Sequence, residues 1–364
     1  MGKRQAIRTL AVGFIVGHWF WVGCQGNLFS AQPSPRVFKS DRPTSAIADT
    51  QWTPPVPLPA TQSYRILFAL KDTYDPATNE HGDLYQAEVW QGAVNAAQDL
   101  GVEVELLPND CHTCVEAQIR AIATRIEQRD LDGMVVMVTD SVRLATIIER
   151  AIAQGIPVIA IDTPVNTDQI LTFVAFDNFA GGQLMGEWVA HQLNGQGNVL
   201  MLDGALQQQN AIDRKQGFLA GLRMGEINVL DTQSGNWSEA TAMEITKKWL
   251  QRFDQIDAII AANYAMAQGA ADALQAYEHD DEIWVTGFDA MPNALDAIER
   301  GDLMATINQI PAQQARLALE LLVRHLETSE TFPSRIFLPE IHLIDQGNIG
   351  EMSMHVRDSP VTRP

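Results

Sequence analysis

The sequence predicts an α/β protein whose strands form parallel sheets in two lobes. From Tyr64 onward, short apolar runs alternate with helical segments, many of them ended by Gly. The runs are apolar on both faces, as strands are when helices cover both sides of a parallel sheet. Their number would make a single sheet unusually wide, so two sheets of five or six strands each are expected.

The first series opens with the strand Tyr64–Leu70, followed by a helix over Tyr85–Leu100 that stops at Gly101. Val102–Leu107 alternates as a strand, Val115–Arg129 has helical spacing, and Gly133–Val138 is the next strand. A helix over Ser141–Gln154 ends at Gly155, and Pro157–Ile161 is again a strand. The second series runs through strands at Leu171–Ala175, Asn198–Leu202, Ile227–Asp231, Ala258–Ala261 and Ile283–Gly287. Helices are expected between and after them at Gly181–Leu193, Arg214–Met224, Glu239–Arg252, Ala265–Tyr277 and Asn293–Arg300.

The chain before Tyr64 differs in character. Lys3, Arg4 and Arg8 precede an apolar run from Leu10 to Val22, which is short for a bilayer span and has the layout of an export signal. Val22-Gly23-Cys24 resembles a bacterial lipoprotein cleavage box, in which Cys24 would be lipidated. Trp21 stands where that box usually has Leu, so later cleavage or an uncleaved anchor are the alternatives. Each of them exports the body of the protein. Residues 25–62 are rich in Pro, Ser, Thr and Gln without apolar periodicity, the composition of a spacer without a packed core. The formal net charge of −20 argues against nucleic acid as a partner, because phosphate binding needs clustered Lys and Arg.

In open parallel sheets, ligands bind beyond the carboxyl ends of the strands. Polar residues follow the apolar runs at Lys71-Asp72, Asn109-Asp110, Thr139-Asp140, Asp162-Thr163, Asp177-Asn178, Asn263, Asp289 and Asn308-Gln309. Helix N-capping explains any one of them equally well. At these junctions the chain resembles the ribose- and galactose-type periplasmic binding proteins of ATP-driven (ABC) transporters. The resemblance rests on Asp177-Asn178-Phe179-Ala180-Gly181-Gly182, on Asn263-Tyr264-Ala265-Met266-Ala267-Gln268-Gly269-Ala270, on Gly287-Phe288-Asp289-Ala290-Met291-Pro292 and on Ala305-Thr306-Ile307-Asn308-Gln309, in family order between about Tyr64 and Ile344.

That resemblance implies a type I periplasmic binding fold: two Rossmann-like lobes joined by three hinge strands near Phe176, Gln309 and Pro339. The lobes would comprise residues 63–176 plus 310–340 and 177–309 plus 341–350, with 351–364 as a tail. It implies a monomer, periplasmic or at the cell surface, that delivers a sugar-like ligand to an ABC permease, or alternatively presents it to a chemoreceptor or sensor kinase. The ligand contacts it carries over are Asp162, Trp237, Asn263, Asp289 and Gln309; a long loop over residues 71–83 either adds contacts, with Asp83 and Tyr85 at its end near the family's polar and aromatic positions, or is a surface excursion. Carboxylates and amides would accept from hydroxyls while Trp237 covers the apolar face of a sugar ring, although Trp237 also fits a core role beside the helix at Glu239.

Departures from the ribose pattern are Thr163 and Ile212 in place of two Arg, Met137 in place of an Asn, and Tyr264 in place of an Asp. Lost guanidiniums remove fixed bidentate donors, and Ile212 would add an apolar wall, so ribose itself is not the expected ligand. Cys111-His112-Thr113-Cys114 lacks the further ligands that zinc needs. In an oxidising compartment Cys111 and Cys114 are expected to bond locally, with free thiols or a redox or metal role as alternatives. The eight His are scattered and read as solvated, and the polar run Gln207-Gln208-Gln209-Asn210 reads as a loop, with hydrogen bonding to ligand from the second lobe as the alternative. No nucleophile–base motif or nucleotide-binding motif is present, so neither an enzyme nor a cofactor is expected.

Overall fold

The computed structural model describes residues 52–73, 83–277, 283–339 and 341–351. The expected export segment with Cys24, the spacer up to residue 51, most of the 71–83 loop and the tail beyond 351 lie outside the described residues. In chain order the elements are β1 (Arg65–Ala69), α1 (Leu84–Leu100), β2 (Glu103–Leu107), α2 (Val115–Ile126), β3 (Gly133–Val136), α3 (Ala145–Ala153), β4 (Val158–Ile161) and β5 (Thr172–Ala175). There follow α4 (Asn178–Gln192), β6 (Gln196–Asp203), α5 (Gln209–Leu222), β7 (Glu226–Ser234), α6 (Glu239–Arg252) and β8 (Ala258–Ala261). The remainder is α7 (Tyr264–Ala276), β9 (Trp284–Thr286), α8 (Pro292–Arg300), β10 (Ala305–Asn308), α9 (Pro311–Thr328), β11 (Arg335–Phe337) and β12 (His342–Asp345).

These strands form two six-stranded sheets, ordered β2-β1-β3-β4-β5-β11 and β7-β6-β8-β9-β10-β12. All pairings in the first are parallel; in the second only β12 runs antiparallel, against β10. Each order reverses once, between β1 and β3 and between β6 and β8, which makes the ends of β1 and β6 the switch points where such sheets open a crevice. The chain passes between sheets three times: after β5, after β10 and between β11 and β12. Ile310, at the second passage, has φ +46°, and Pro311 then starts α9, which packs on α1.

The apolar runs become strands because both faces are covered: Ile66, Leu67, Phe68 and Ala69 of β1 are fully buried, as are Ile159, Ala160 and Ile161 of β4. Gly101 ends α1 in the left-handed conformation, φ +73°. Two helices start earlier than the sequence reading placed them. Asp177 caps α4 by accepting from the Ala180 amide at 3.0 Å, so Asn178–Ala180 are helical, and α5 begins at Gln209 inside the polar run read as a loop. The spacer is not free over its whole length either: Trp52 and Ala60 pack against the first core, and Thr61 bonds to Glu327 through both its amide and its hydroxyl.

Helices α4 and α5 meet through glycines. A Cβ on Gly182 would lie 2.4 Å from the Arg214 carbonyl, and one on Gly186 would lie 2.4 Å from the Phe218 carbonyl. Gly217 and Gly221 answer them from α5, at 2.2 Å from the Phe179 and Gln183 carbonyls. This close crossing carries Arg214 to Asn178. Gly186→Ala is expected to force the helices apart and to cost about 1–3 kcal/mol, read as a lower midpoint in urea unfolding.

Candidate functional site

A cavity of about 290 Å³, counted out to its mouth, lies between the carboxyl ends of the two sets of strands. All seven residues singled out from the sequence line it: Asp83, Tyr85, Asp162, Trp237, Asn263, Asp289 and Gln309. Asn210, from the run for which ligand bonding was the alternative to a loop, lines it too, as do Lys71, Gln86, His112 and Arg214, which the sequence did not point to as contacts.

The first group comes together because each residue follows a strand or opens a helix. Asp162 follows β4, Asp289 follows β9, Gln309 follows β10 and Trp237 follows β7. Asp162, Trp237 and Asp289 have φ of +60°, +65° and +87°, a conformation L-residues keep only where surrounding structure imposes it. Capping and lining prove compatible. Asp83 accepts from the Tyr85 amide at 2.9 Å and Asn263 from the Met266 amide at 3.0 Å, while both still face the cavity.

Asp162 is the most heavily used acceptor. Its Oδ1 accepts from the Tyr85 hydroxyl at 3.0 Å; its Oδ2 accepts from Lys71 Nζ at 2.5 Å, Thr163 Oγ1 at 2.6 Å and Asn210 Nδ2 at 3.2 Å. Burial works against its charge, but the Lys71 ammonium outweighs that and holds the carboxyl below the usual range. Asp289 shows the reverse balance. Burial outweighs Arg214, 3.9 Å away, and pushes the carboxyl up to about 6, although Gln309 Nε2 donates to it. Arg214 donates to Asn178 Oδ1 through Nε at 3.1 Å, to Gln309 Oε1 at 2.9 Å and to the Ala262 carbonyl. Its guanidinium carbon lies 5.4 Å from the Trp237 ring and 4.0 Å from the Phe288 ring. Two buried nitrogens in the wall, Gln86 Nε2 and His112 Nδ1, have no hydrogen-bond partner, a condition that polar groups rarely keep in a dry interior.

The profile of the periplasmic binding protein domain family matches residues 77–330. The chain belongs to this family. The D-apiose import binding protein of Paraburkholderia graminis is 32% identical over 209 residues, 57% of this chain and 67% of its own length. The ribose import binding protein of Escherichia coli is 27% identical over 243 residues, covering 67% and 81%. The solved fructose-binding periplasmic domain of a hybrid two-component system superposes with a TM-score of 0.73 at 23% identity, covering 81% of this chain and 95% of that domain. Among the described residues no helix is long and apolar enough to cross a membrane.

For a member of this family the cleft departs from the sequence reading at Ile212, at Gln208 and Asn210, and at His112. Ile212 does not line the cavity; a guanidinium is present after all, supplied two residues on by Arg214. Trp237 is only 7% exposed and stacks on Gly204, where a Cβ would lie 2.1 Å from the ring, yet its ring still forms cavity wall. Gln208 and Asn210 are buried rather than looped into solvent. His112 is not solvated: its Nε2 lies 2.9 Å from both Asp72 Oδ2 and Asp83 Oδ2. Cys111 and Cys114, flanking it, form a disulfide.

Asp72, Asp83 and His112 form the one cluster among the described residues that could gather a metal ion, and its imidazole already engages both carboxylates. Burial disfavours the charged imidazole, but its bonds to Asp72 and Asp83 prevail and raise it to about 9. Because that lies above the unfolded value near 6.5, the stabilisation is complete below about pH 6.5 and is lost as pH rises through 9. Unfolding stability is therefore expected to fall by on the order of 2–3 kcal/mol between about pH 7 and 9.5, and His112→Asn should flatten that slope in urea titrations.

Proposed function

We propose that this chain is the solute-capturing component of an ATP-driven import system, closing on one monosaccharide or related polyol and handing it to a membrane permease. The observation that carries this is the composition of the cavity wall. One indole face stands beside carboxylate, amide, ammonium and guanidinium groups that accept from and donate to hydroxyls. The apiose and ribose relatives are import binding proteins, in agreement with it. Asp83, Tyr85, Asp162, Trp237, Asn263, Asp289 and Gln309 are the proposed contacts, together with Arg214 and Asn210.

Ligand bound by groups from both lobes at once would favour the lobes closed over the lobes apart, with the three passages between sheets as hinges. The basic and apolar start of the sequence supports export, and Cys24 supports a lipid anchor with the Pro-rich segment as tether. The charge of −20 supports a protein without nucleic-acid partners. Sensing is the second reading, favoured by the likeness to the fructose-binding domain of a two-component system. Permease and ATPase genes beside this one would speak for import, and a lone kinase gene for sensing.

A thermal-shift panel of D-apiose, D-ribose, D-fructose and myo-inositol tests the ligand class. A true ligand at 100 times its Kd adds about 2.7 kcal/mol of stability, and no shift with any of them sinks the saccharide assignment. Asp289→Ala should then weaken the sugar that binds by about 2 kcal/mol, roughly thirtyfold, in titration calorimetry. An unchanged affinity would remove Asp289 from the contacts.

A further inference from the structure

Two segments supply none of the proposed ligand contacts: the Cys111-His112-Thr113-Cys114 turn after β2 and residues Gln207–Gln209 after β6. In the folded chain they meet. Gln208 is fully buried, and its side chain joins three partners. Its Nε2 donates to the His112 carbonyl at 2.8 Å, and its Oε1 accepts from Lys71 Nζ at 3.3 Å and from Trp237 Nε1 at 3.1 Å. The same segment is gripped on either side: Ser141 N donates to the Gln207 carbonyl at 3.1 Å and Gln209 N to Ser141 Oγ at 3.0 Å. Lys71, His112 and Ser141 belong to the β1–β5 side, whereas Gln207, Gln208, Gln209 and Trp237 belong to the β6–β10 side.

The His112 carbonyl can be met only if its turn holds a fixed shape. The disulfide closes that turn, and Asn109 Nδ2 donates to the Cys111 carbonyl at 2.8 Å and to the Cys114 carbonyl at 3.3 Å. The His112 ring anchors the turn to Asp72 and Asp83, one at each end of the loop leaving β1. We propose that the disulfide-closed turn and Gln208 form a latch across the cleft, made wholly of protein groups, that sets how long a ligand stays bound and that opens when the disulfide is reduced. The part about ligand residence rests on the binding role proposed above; the latch itself does not.

Both sulfurs belong to partly exposed residues, so a small dithiol can reach them. Reduction takes two electrons and two protons from dithiothreitol, which closes to its own disulfide while Cys111 and Cys114 become thiols. The turn then loses its covalent closure and the Gln208 bond its fixed acceptor. Because the latch adds bonds that exist only after the lobes have met, its loss acts on dissociation and not on encounter.

The test uses the whole exported chain in three forms: oxidised, reduced with dithiothreitol, and Cys111→Ser/Cys114→Ser. Gln208→Ala is the fourth sample. Stopped-flow Trp fluorescence with D-apiose is expected to show dissociation about tenfold faster in the last three, with association unchanged. Small-angle scattering of the ligand-free protein is expected to show a larger radius of gyration in the same three. Re-oxidation should restore the wild type and leave the double variant unchanged. Equal dissociation rates and equal ligand-free radii before and after reduction, with two thiols titrated, would overturn the latch, as would a loss confined to association. If D-apiose and the other sugars fail to bind, the ligand-free radii alone decide the latch and only the saccharide reading falls.

Discussion

The carboxylate of Asp162 is the interaction on which the cleft depends. It is buried, it faces a buried ammonium, and it receives donors from both sides of the cleft: Lys71, Tyr85 and Thr163 from the first sheet's side and Asn210 from the second. A buried charge is costly unless its partners are complete, and removing one partner of such a pair typically costs about 3–5 kcal/mol. This requirement explains why so much of the surrounding chain is fixed. Lys71 must leave β1 pointing inward, Asp162 must take a left-handed backbone to turn its side chain into the cleft, and the segment after β6 must reach across to supply Asn210.

The second lobe solves a related problem with a cation. Arg214 is buried between the rings of Trp237 and Phe288 and among the oxygens of Asn178, Gln309 and Ala262. It reaches them because glycines let α4 and α5 approach to backbone contact, which brings Asn178 and Arg214 side by side. Asp289 pays for this arrangement in ionisation: the oxygens around Arg214 share its charge, and burial leaves the Asp289 carboxyl less acidic than Asp162. Two aspartates at equivalent strand ends thus carry different chemistry.

Much of this was legible in the sequence, and what was not has definite physical reasons. Strand ends could be read because apolar runs stop abruptly, and a polar residue after such a run can be a cap, a cleft residue or, like Asn263, both. Lys71 was visible as a strand-end residue, but a lysine gives no sign that its ammonium will be buried. Arg214 and His112 lie on a helix face and in a turn, and only the tertiary crossing and the disulfide bring them inward. Gln208 and Asn210 read as loop because amide side chains have no apolar periodicity, whatever they bond to. Helix α9 places leucines at 317, 319, 321 and 322, a spacing with no clean helical period, and it lies beyond Arg300, where the alternation that defines the lobes stops being simple. The short strands β11 and β12 are three and four residues long, too brief for a periodic signal.

The three passages between the sheets also govern the order in which the chain can fold. The first sheet is finished only by β11, and its α1 face is covered only by α9, both of which come after the entire second series of strands. A chain emerging from its amino end therefore holds β1 to β5 with an uncovered flank until nearly all of the remainder has appeared. Contacts between α1 and α9 span more than two hundred positions in sequence, the kind of long loop closure that slows folding. It also makes the carboxyl-terminal third the segment whose loss would leave neither lobe whole.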